Sequence, residues 1–389
     1  MSSQTIDLFR PPFWIALAAG IALLVPAVNP ALRRWIGAAI NFGVIVALLG
    51  IHAAWVAGGL GVAWLYLRLC ERPGPRGFLA ALGASATLAL FLIHKRPELV
   101  GEIGPARINP ILIAVGFSYV ALRFFEASRA VIEGRHPAPG LAATVNYLIP
   151  FHMLAAGPIQ SYDDFAAQPP VPPAPGMSTA LRGVERVCLG MFKKYVLANV
   201  IELAFLTNFR ATGPYFLLEL QVNYLWLFLD FSAYSDIAVG AGLLMGVATP
   251  ENFDRPYLAR NMIDYWERWH ITLSQFIRRN VFIPLQLTLM RATGGRAPLK
   301  IASFAFLISF LLCGLWHAID VRWMIWGVLH GLGLTACNLY RFALTKRLGR
   351  RGVERYLANP WIRAAARVVT FEFVAVTVWI ITAPWPGSH

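Results

Sequence analysis

The chain has 389 residues, of which 57% are apolar and 14% are charged, with a formal net charge of +14. Apolar runs of about 20 residues, the length that a helix needs to cross a bilayer, recur along it and exclude an ordinary soluble domain. Arginine and lysine gather in loops beside these runs, which favours cytoplasmic membrane loops over nucleic-acid binding.

Several segments are long and apolar enough to be predicted as membrane-spanning helices. In chain order they are residues 13–28, 36–53, 55–70, 78–94, 109–131, 141–159, 184–206, 215–247, 300–318, 321–343 and 364–383. The first is predicted to be retained, because the N-terminus lacks the basic region and the cleavage site of a signal peptide. The segment 215–247 is too long for one perpendicular helix, so it is either strongly tilted or broken near its polar centre.

The cysteines are far apart and lie mostly within apolar runs: Cys70, Cys188, Cys313 and Cys337. No CxxC or Cys/His spacing typical of zinc is present, so neither a disulfide framework nor a structural metal is predicted. Cys313 precedes His317 by four residues and shares its helix face, but we favour a buried small residue over a nucleophile there.

Two basic blocks, residues 255–300 and 341–367, are predicted to lie in the cytoplasm. The two apolar runs between them therefore form an outward-and-back hairpin, and its tip, IDVR, faces the other side of the membrane. His317 is expected near the extracytoplasmic end of its helix. His330 is expected about two turns into the return helix, deeper in the membrane.

The segment NMIDYWERWHITLSQFIRRNVFIPL combines apolar spacing with charge. Trp266, Trp269, Leu273 and Phe276 recur at helical spacing among charged residues, which predicts one helix lying in the membrane interface. His270 follows Trp266 by four residues and is expected beside this apolar stripe.

Ionisable groups inside membrane spans are costly, and they are therefore candidates for function. The histidines at positions 52, 94, 136 and 152 are interpreted as hydrogen-bonding core residues. His317 and His330 form a pair on adjacent antiparallel helices, with His270 as a candidate third member, and their spacing leaves catalytic and structural roles equally open. A neutral imidazole in a dry site is a good base, and removal of a proton from a hydroxyl is its obvious task.

The stretch LDFSAYSDIAVG places polar residues in an otherwise apolar span. Asp230 and Tyr234 share a helix face, whereas Asp236 points elsewhere. On cost we favour a buried polar network that ties helices together, and the functional alternative is that these groups orient a histidine or line a cavity. The chain contains no GxSxG, HExxH or P-loop motif.

Several stretches, in this order, resemble the bacterial branch of the membrane-bound O-acyltransferase (MBOAT) family: NYLWLFLDFSAYSDIAVG, PENFDRPYLARNMIDYWERWHITLS, GLWHA and WGVLHG. The shorter AAGPIQ resembles an element of the same branch, which includes the membrane proteins of alginate O-acetylation and of D-alanine transfer to teichoic acid. The resemblance covers about residues 110–345.

The resemblance implies an all-α polytopic membrane fold, with a ring of about eleven tilted transmembrane helices and interfacial helices around a central tunnel. It also implies a single integral membrane domain over residues 1–389. Within it, divergent N-terminal spans occupy residues 1–108, the family core 109–345, and a basic loop with the last span 346–389.

The resemblance assigns catalytic roles to His317, which matches the histidine of the WHG element, and to His270, which matches the second important histidine. His330 matches the histidine of the following LHG. Supporting roles are expected for His330 together with Trp316, Asp230, Tyr234 and Asp236. The donor surface is expected to include three arginines of the interfacial segment: Arg268, Arg278 and Arg279.

In such enzymes an acyl group on a cytoplasmic thioester meets a hydroxyl acceptor at the extracytoplasmic side. We therefore expect the protein to lie in the bacterial cytoplasmic (inner) membrane. There it would transfer an acyl group, expected to be acetyl, to a cell-surface or secreted polysaccharide. An acyl-CoA or acyl carrier protein thioester is the expected co-substrate, with no tightly bound cofactor and no metal. The expected partners are the lipid bilayer and the acyl donor, with an SGNH-type extracytoplasmic acetyltransferase as a candidate and no nucleic acid.

Departures from the family pattern leave the acceptor and the partner open. Ala318 stands where the family has the glycine of WHG, and RRNVFIPLQL replaces the usual RDYLYIPLGG, so that Arg279 replaces an acid. One alternative is O-acylation of a lipid or a small secreted molecule. Another is a proton-coupled transporter, which the lack of an inverted repeat and of paired interrupted helices disfavours. Release of free thiol from a thioester separates the enzyme from the transporter.

Overall fold

The computed structural model describes residues 11–72, 74, 76–96, 112–113, 116–154, 156–169, 174–206 and 215–382. Within these residues every named element is helical, and one isolated β-bridge pairs Phe253 with Trp269. The prediction of an all-α polytopic membrane protein is confirmed. Among the described residues, five helical segments are long and apolar enough to cross a membrane: Pro30–Glu71, Arg76–Lys95, Phe216–Met245, Pro298–His317 and Pro360–Thr382.

The chain forms two compact units. Unit 1 comprises Met1–Met191 and Ala233–Pro250, and unit 2 comprises Phe192–Ser232 and Glu251–His389. The predicted single domain over residues 1–389 and the predicted ring with its tunnel stay predictions.

The helices that begin in unit 1 differ widely in length. They are α1 (Pro11–Leu24), α2 (Pro30–Leu49), α3 (Ala53–Glu71), α4 (Arg76–Lys95), α5 (Phe117–Ile132), α6 (Leu141–Leu148), α7 (Tyr162–Ala166) and α8 (Met177–Phe192). Asn29 starts α2, because its Oδ1 accepts hydrogen bonds from Ala31 N at 2.9 Å and Leu32 N at 3.0 Å.

Two predicted spans of this region differ from the structure. Residues 141–159 are not a spanning helix, because α6 ends at Leu148 and a 3₁₀ turn, Phe151–Met153, follows Pro150. Eight helical residues reach about 12 Å, well short of the roughly 30 Å hydrocarbon core. The predicted span 184–206 begins earlier, at Met177, and contains π-helical turns.

Parts of two other predictions lie outside the described residues. For the span 109–131 these are residues 109–111 and 114–115, and α5 accounts for its second half. The end of the last predicted span, at residue 383, also lies outside.

A fully buried arginine holds the broken backbone that follows α6. Arg123, on α5, is 0% exposed, and its guanidinium donates to the carbonyl oxygens of Leu148 at 3.3 Å, Met153 at 2.8 Å and Pro158 at 3.2 Å. Carbonyls at helix ends and in irregular segments have no partner within a helix. Arg123 therefore supplies donors that the local backbone cannot provide.

Arg33 has a similar structural role at the start of α2. It is buried, and its guanidinium donates to the carbonyls of Leu24, Met245 and Gly246. These carbonyls lie at the ends of two helices, and one arginine satisfies both ends.

The remaining helices begin in unit 2. Apart from a three-residue helix, Asn199–Ile201, they are α9 (Phe216–Met245), α10 (Met262–Trp266), α11 (Ile271–Ile277), α12 (Ile283–Ala292), α13 (Pro298–His317), α14 (Val321–Ala358) and α15 (Pro360–Thr382). α14 is kinked at Gly349, where φ is 64°. α9 is continuous over 30 residues, which excludes the second of the two alternatives for segment 215–247, a break near its polar centre. Its length of about 45 Å exceeds the roughly 30 Å hydrocarbon core, which agrees with the tilted alternative.

The predicted interfacial helix around Trp266 is also wrong as one helix. α10 ends at Trp266, α11 begins at Ile271, and the residues between them form a turn. His270 adopts a φ of 43°, which no helical residue has. The i, i+4 relation between Trp266 and His270 therefore does not apply.

α13 and α14 form the predicted antiparallel hairpin, and their backbones approach closely at glycines. A Cβ added at Gly314 would collide with the carbonyl oxygen of Trp323, and one added at Gly327 with that of Phe310. Because the obstacle is backbone in both cases, no side-chain rotation can relieve the collision.

We expect Gly314→Ala to destabilise the protein by about 1–3 kcal/mol, since the two helices must separate to admit the methyl group. The matched control is Gly58→Ala in α3, where an added Cβ meets nothing within 4 Å. That change should be neutral or stabilising by up to about 1 kcal/mol. Thermal unfolding in detergent checks both, and equal melting temperatures for the two variants would contradict the close approach.

Candidate active site

His270 lies in the turn between α10 and α11, and a short backbone pairing holds this turn in place. Asp254 N donates to Arg268 O at 2.9 Å, and Ile271 N donates to Asn252 O at 3.0 Å. His270 itself has a φ of 43°, in the left-handed region that few residues other than glycine adopt. A strained backbone of this kind persists only where the surrounding contacts enforce it.

Asn252 fixes the imidazole of His270. Asn252 is 0% exposed, and its Oδ1 accepts from Thr272 N at 3.2 Å and from Thr272 Oγ1 at 2.8 Å. The same oxygen lies 3.2 Å from His270 Nδ1. Because a carbonyl oxygen only accepts, Nδ1 must carry the proton and Nε2 the lone pair.

His270 is neutral under ordinary conditions. It is 1% exposed, and the ring of Phe231 lies edge-on at 4.9 Å between centroids. Burial lowers the pKa of His270 to about 3, since the cation would lose its solvation. A neutral, oriented imidazole with a lone pair on Nε2 can accept a proton or a hydrogen bond.

Replacement of Asn252 by alanine removes the acceptor of three buried donor groups. Each orphaned donor costs about 1–3 kcal/mol, so we expect a marked loss of thermal stability. The control is Asn359→Ala, whose Oδ1 accepts from exposed Trp361 N at 2.9 Å and should cost about 1 kcal/mol. If differential scanning fluorimetry gave N252A a melting temperature no lower than that of N359A, the assigned role of Asn252 would be wrong.

Both ring nitrogens of His330 are used in hydrogen bonds. Trp266 Nε1 donates to His330 Nδ1 at 3.2 Å, and an indole N–H cannot accept, so the proton of His330 lies on Nε2. Nε2 lies 3.0 Å from Thr377 Oγ1, whose own hydroxyl donates to Val374 O at 2.9 Å. His330 is 1% exposed and joins α10, α14 and α15. This arrangement suits the supporting role predicted for it.

His317 ends α13 and is half-buried, in contrast to His270 and His330. Its ring stacks on Trp323 with centroids 4.4 Å apart and planes 15° apart. Trp316 contacts it at 4.8 Å and Trp326 at 5.6 Å, both edge-on. His317 is therefore the histidine of the three that combines a fixed ring with access from outside the protein interior.

A continuous series of ring contacts brings the three predicted histidines together. Trp326 lies 4.3 Å from His330 and 5.6 Å from His317. Tyr265 lies 6.3 Å from His330 and stacks on Trp269 at 5.7 Å. Phe231 then joins Trp269, at 6.1 Å, to His270, at 4.9 Å. We call the following set the aromatic cluster: Phe231, Tyr265, Trp266, Trp269, Trp316, Trp323 and Trp326, with His270, His317 and His330.

The polar residues of α9 are paired with basic residues. Within unit 2, Asp230 accepts from Lys194 Nζ at 2.6 Å, and within unit 1, Asp236 pairs with Arg186 at 2.8 Å. Tyr234 is 6% exposed and packs in an apolar core of unit 1. These contacts agree with the polar-network interpretation. Tyr234 and Asp236 belong to unit 1, whereas the three histidines and Asp230 belong to unit 2.

Arg268, predicted at the donor surface, is engaged in ion pairs. It pairs with Asp264 at 2.8 Å and with Asp254 at 3.0 Å, and Arg260 also pairs with Asp264 at 2.8 Å. Burial acts to raise the pKa of Asp264, but the hydrogen bonds from Arg260 and Arg268 outweigh it and lower the pKa. Arg268 thus fixes the turn before His270.

Arg278 and Arg279 begin a π-helical turn, Arg278–Phe282, that joins α11 to α12. The side chain of Arg278 is exposed and that of Arg279 is half-buried. Single π-helical turns occur frequently at functional sites. Cys313, the candidate nucleophile on α13, is 2% exposed, which agrees with a structural residue.

The structure also reveals site residues that the sequence pattern did not single out. Asn252 stands in a loop and acts on a histidine 18 residues later, which no helical or strand period connects. Thr377 lies in an apolar span, and its hydroxyl belongs to no sequence pattern that indicates a functional residue. Trp323 and Trp326 carried a signal, since their spacing with His330 places three rings on one face of α14.

A model of the membrane-bound O-acyltransferase family (MBOAT) matches residues 117–363. The chain is 25% identical over 359 residues to the teichoic acid D-alanyltransferase of Streptococcus thermophilus, with 87% of this chain and 85% of that protein covered.

Two further relatives carry acetylation in their names. The probable alginate O-acetylase of Pseudomonas aeruginosa is 28% identical over 354 residues, which cover 88% of this chain and 63% of that protein. The peptidoglycan O-acetyltransferase of Helicobacter pylori is 36% identical over 196 residues, 49% of this chain and 34% of that protein.

Proposed function

Because the chain belongs to the membrane-bound O-acyltransferase family and is thus a multi-pass membrane acyltransferase, we propose that it moves an acetyl group from a cytoplasmic thioester to a polysaccharide hydroxyl. The observation that carries the proposal is the half-buried imidazole of His317 at the end of α13, held by Trp323. The acceptor class rests on the relatives, whose names include alginate, peptidoglycan and teichoic acid.

In the proposed reaction His317 acts as general base. Its imidazole takes the proton of the acceptor hydroxyl while the oxygen attacks the carbonyl carbon of the thioester. The C–O bond forms, the tetrahedral intermediate collapses, and the C–S bond breaks. The thiolate leaves and receives, through solvent, the proton that His317 had taken, so the products are an O-acyl ester and a free thiol and His317 is neutral again.

The other residues of the aromatic cluster position these groups. His270 is proposed to orient the reactants or to stabilise developing charge, since Asn252 fixes its tautomer with the lone pair on Nε2. His330 uses both nitrogens for Trp266 and Thr377 and is proposed to hold α14 against its neighbours. Proper placement of reacting groups is a large part of enzymatic rate enhancement.

The donor is proposed to be an acyl-CoA or an acyl carrier protein thioester that approaches from the cytoplasm. Its phosphate groups are anionic and would be attracted by basic residues near the π-helical turn. Arg278 would contribute most to this attraction, because its side chain is exposed. We place the enzyme in the bacterial cytoplasmic (inner) membrane and propose an SGNH-type extracytoplasmic acetyltransferase as a partner that binds at its extracytoplasmic side.

The experiment uses the full-length protein in proteoliposomes with labelled acetyl-CoA and a hydroxyl acceptor, alginate or a peptidoglycan fragment. We expect release of free thiol that increases with acceptor and label that accumulates in the polysaccharide. Label found in the lipid fraction would mean that the acceptor is a lipid and not a polysaccharide. Thiol release no greater than in protein-free liposomes, with both acceptors, would contradict the proposed donor and acceptor.

A further inference from the structure

Unit 1 contains a cavity of about 440 Å³ that none of the residues proposed for acyl transfer lines. Its walls come from the start of α2, the loop before α6, α6 itself, α7 and the end of α9. It is large enough for a small molecule of several functional groups, within the usual size range of ligand pockets. The cavity is therefore a candidate ligand-binding site, and its lining residues are not those of the aromatic cluster.

The charge of the cavity wall is one-sided. Among the described residues that line it are two arginines and two histidines but no aspartate or glutamate: Arg33, Arg34, His136 and His152. His136 is partly offset by Asp163, whose carboxylate lies 3.0 Å from Nε2. Burial lowers the pKa of His152 to about 3 and keeps it neutral, so the cationic groups of the wall are its arginines. With no carboxylate in the wall, these arginines favour an anionic ligand.

Two sets of hydrogen-bond donors in the cavity wall remain available for a ligand: the guanidinium of Arg34 and the first-turn N–H groups of α6. The guanidinium of Arg33 is engaged by backbone carbonyls, but that of Arg34 is exposed and has no ion pair among the described residues. α6 begins at the cavity with Gly140 as its N-cap, so no side chain caps its first turn. The N–H groups of that turn, next to Ala143, carry the positive end of the helix dipole.

His152 adds an independent indication. It lines the cavity, is 3% exposed, and its Nε2 lies 3.0 Å from Thr249 Oγ1. Its Nδ1 has no hydrogen-bond partner among the described residues. Thr249 Oγ1 donates to Val247 O at 3.3 Å, so Nε2 of His152 carries the proton and Nδ1 a lone pair. Buried polar atoms are nearly always satisfied by protein, water or ligand, and Nδ1 suits a hydroxyl donor on the organic part of a ligand.

We propose that this cavity binds a phosphate ester. The phosphate group contacts Arg34 and the first turn of α6, because a guanidinium and a helix N-terminus are the donors that phosphate prefers. The organic part of the ester lies against the apolar wall, which includes Leu24, Ile40 and Phe151. The ester is a phospholipid headgroup or a free phosphate ester, and the same donors would recognise either.

Two matched pairs of variants test the site without disturbing the fold. Ala143→Glu places a carboxylate in the first turn of α6, where it suits the helix dipole but repels an anion and competes for Arg34. Ala143→Gln has the same size and no charge. Arg34→Gln removes the exposed guanidinium, and Arg76→Gln removes another exposed arginine of unit 1 that does not line the cavity.

The probes are phosphatidylglycerol, measured by native mass spectrometry with phosphatidylcholine as reference, and glycerol 3-phosphate, measured by calorimetry. We expect at least one probe to bind the wild type and to bind A143E and R34Q about tenfold more weakly, with A143Q and R76Q unchanged. Selective retention of phosphatidylglycerol identifies a lipid headgroup, and binding of glycerol 3-phosphate identifies a soluble ester. Binding of neither probe, or equal binding by A143E and A143Q, overturns the proposal.

Discussion

Replacement of His317 by alanine is expected to lower kcat for acyl transfer by about 10²–10⁴-fold, the contribution that a positioned general base makes. The acceptor hydroxyl would have to lose its proton to water, and its attack on the thioester carbonyl would become the slow step. The fold should be retained, because the imidazole is half-buried at the last residue of α13. Steady-state release of free thiol, measured with purified protein at saturating donor, gives kcat directly.

The matched control is His52→Ala. His52 is exposed in the 3₁₀ turn between α2 and α3, so its interpretation as a core residue is wrong. Its turnover should equal that of the wild type. Both variants need gel-filtration profiles and melting temperatures close to those of the wild type, so that lost activity reports chemistry and not misfolding. If H317A turned over as fast as H52A, His317 could not be the base.

The hairpin of α13 and α14 could be predicted from the sequence because its signals are local. Two apolar runs flank the short tip IDVR, and basic blocks on either side place both ends on the same side of the membrane. His317 and His330 then follow from position along two helices. The same reasoning placed Asp230 and Tyr234 on one helix face, and the unbroken helix α9 carries them.

The environment of His270 could not be predicted, because it depends on a tertiary pairing. Helical periodicity across Trp266 and Trp269 predicted one helix, but the backbone pairs with residues 252–254 instead, and the chain turns at His270. Asn252 forms three contacts in this turn, a gain that exceeds the weak intrinsic preference for a helix. The broken segment after α6 is a similar case, since its stability comes from Arg123 on another helix.

We expect Arg123→Leu to destabilise the protein by about 3–5 kcal/mol, a large effect for a single residue. The substitution leaves the carbonyl groups of Leu148, Met153 and Pro158 without the donors that now reach them. No water can easily replace a side chain that is 0% exposed. The melting temperature in detergent should fall by about 6 °C or more.

Arg129→Leu on the same helix is the matched control. Arg129 pairs with Glu133 at 2.6 Å, but both side chains are about one-third exposed, at 32% and 39%. Pairs of this kind contribute at most about 1 kcal/mol, so the two leucine variants should separate clearly. Arg123→Lys should lie between them, because an ammonium keeps the charge but cannot reach three carbonyls with a rigid planar fork. Equal melting temperatures for R123L and R129L would mean that other groups hold the backbone after α6, and that Arg123 is not its support.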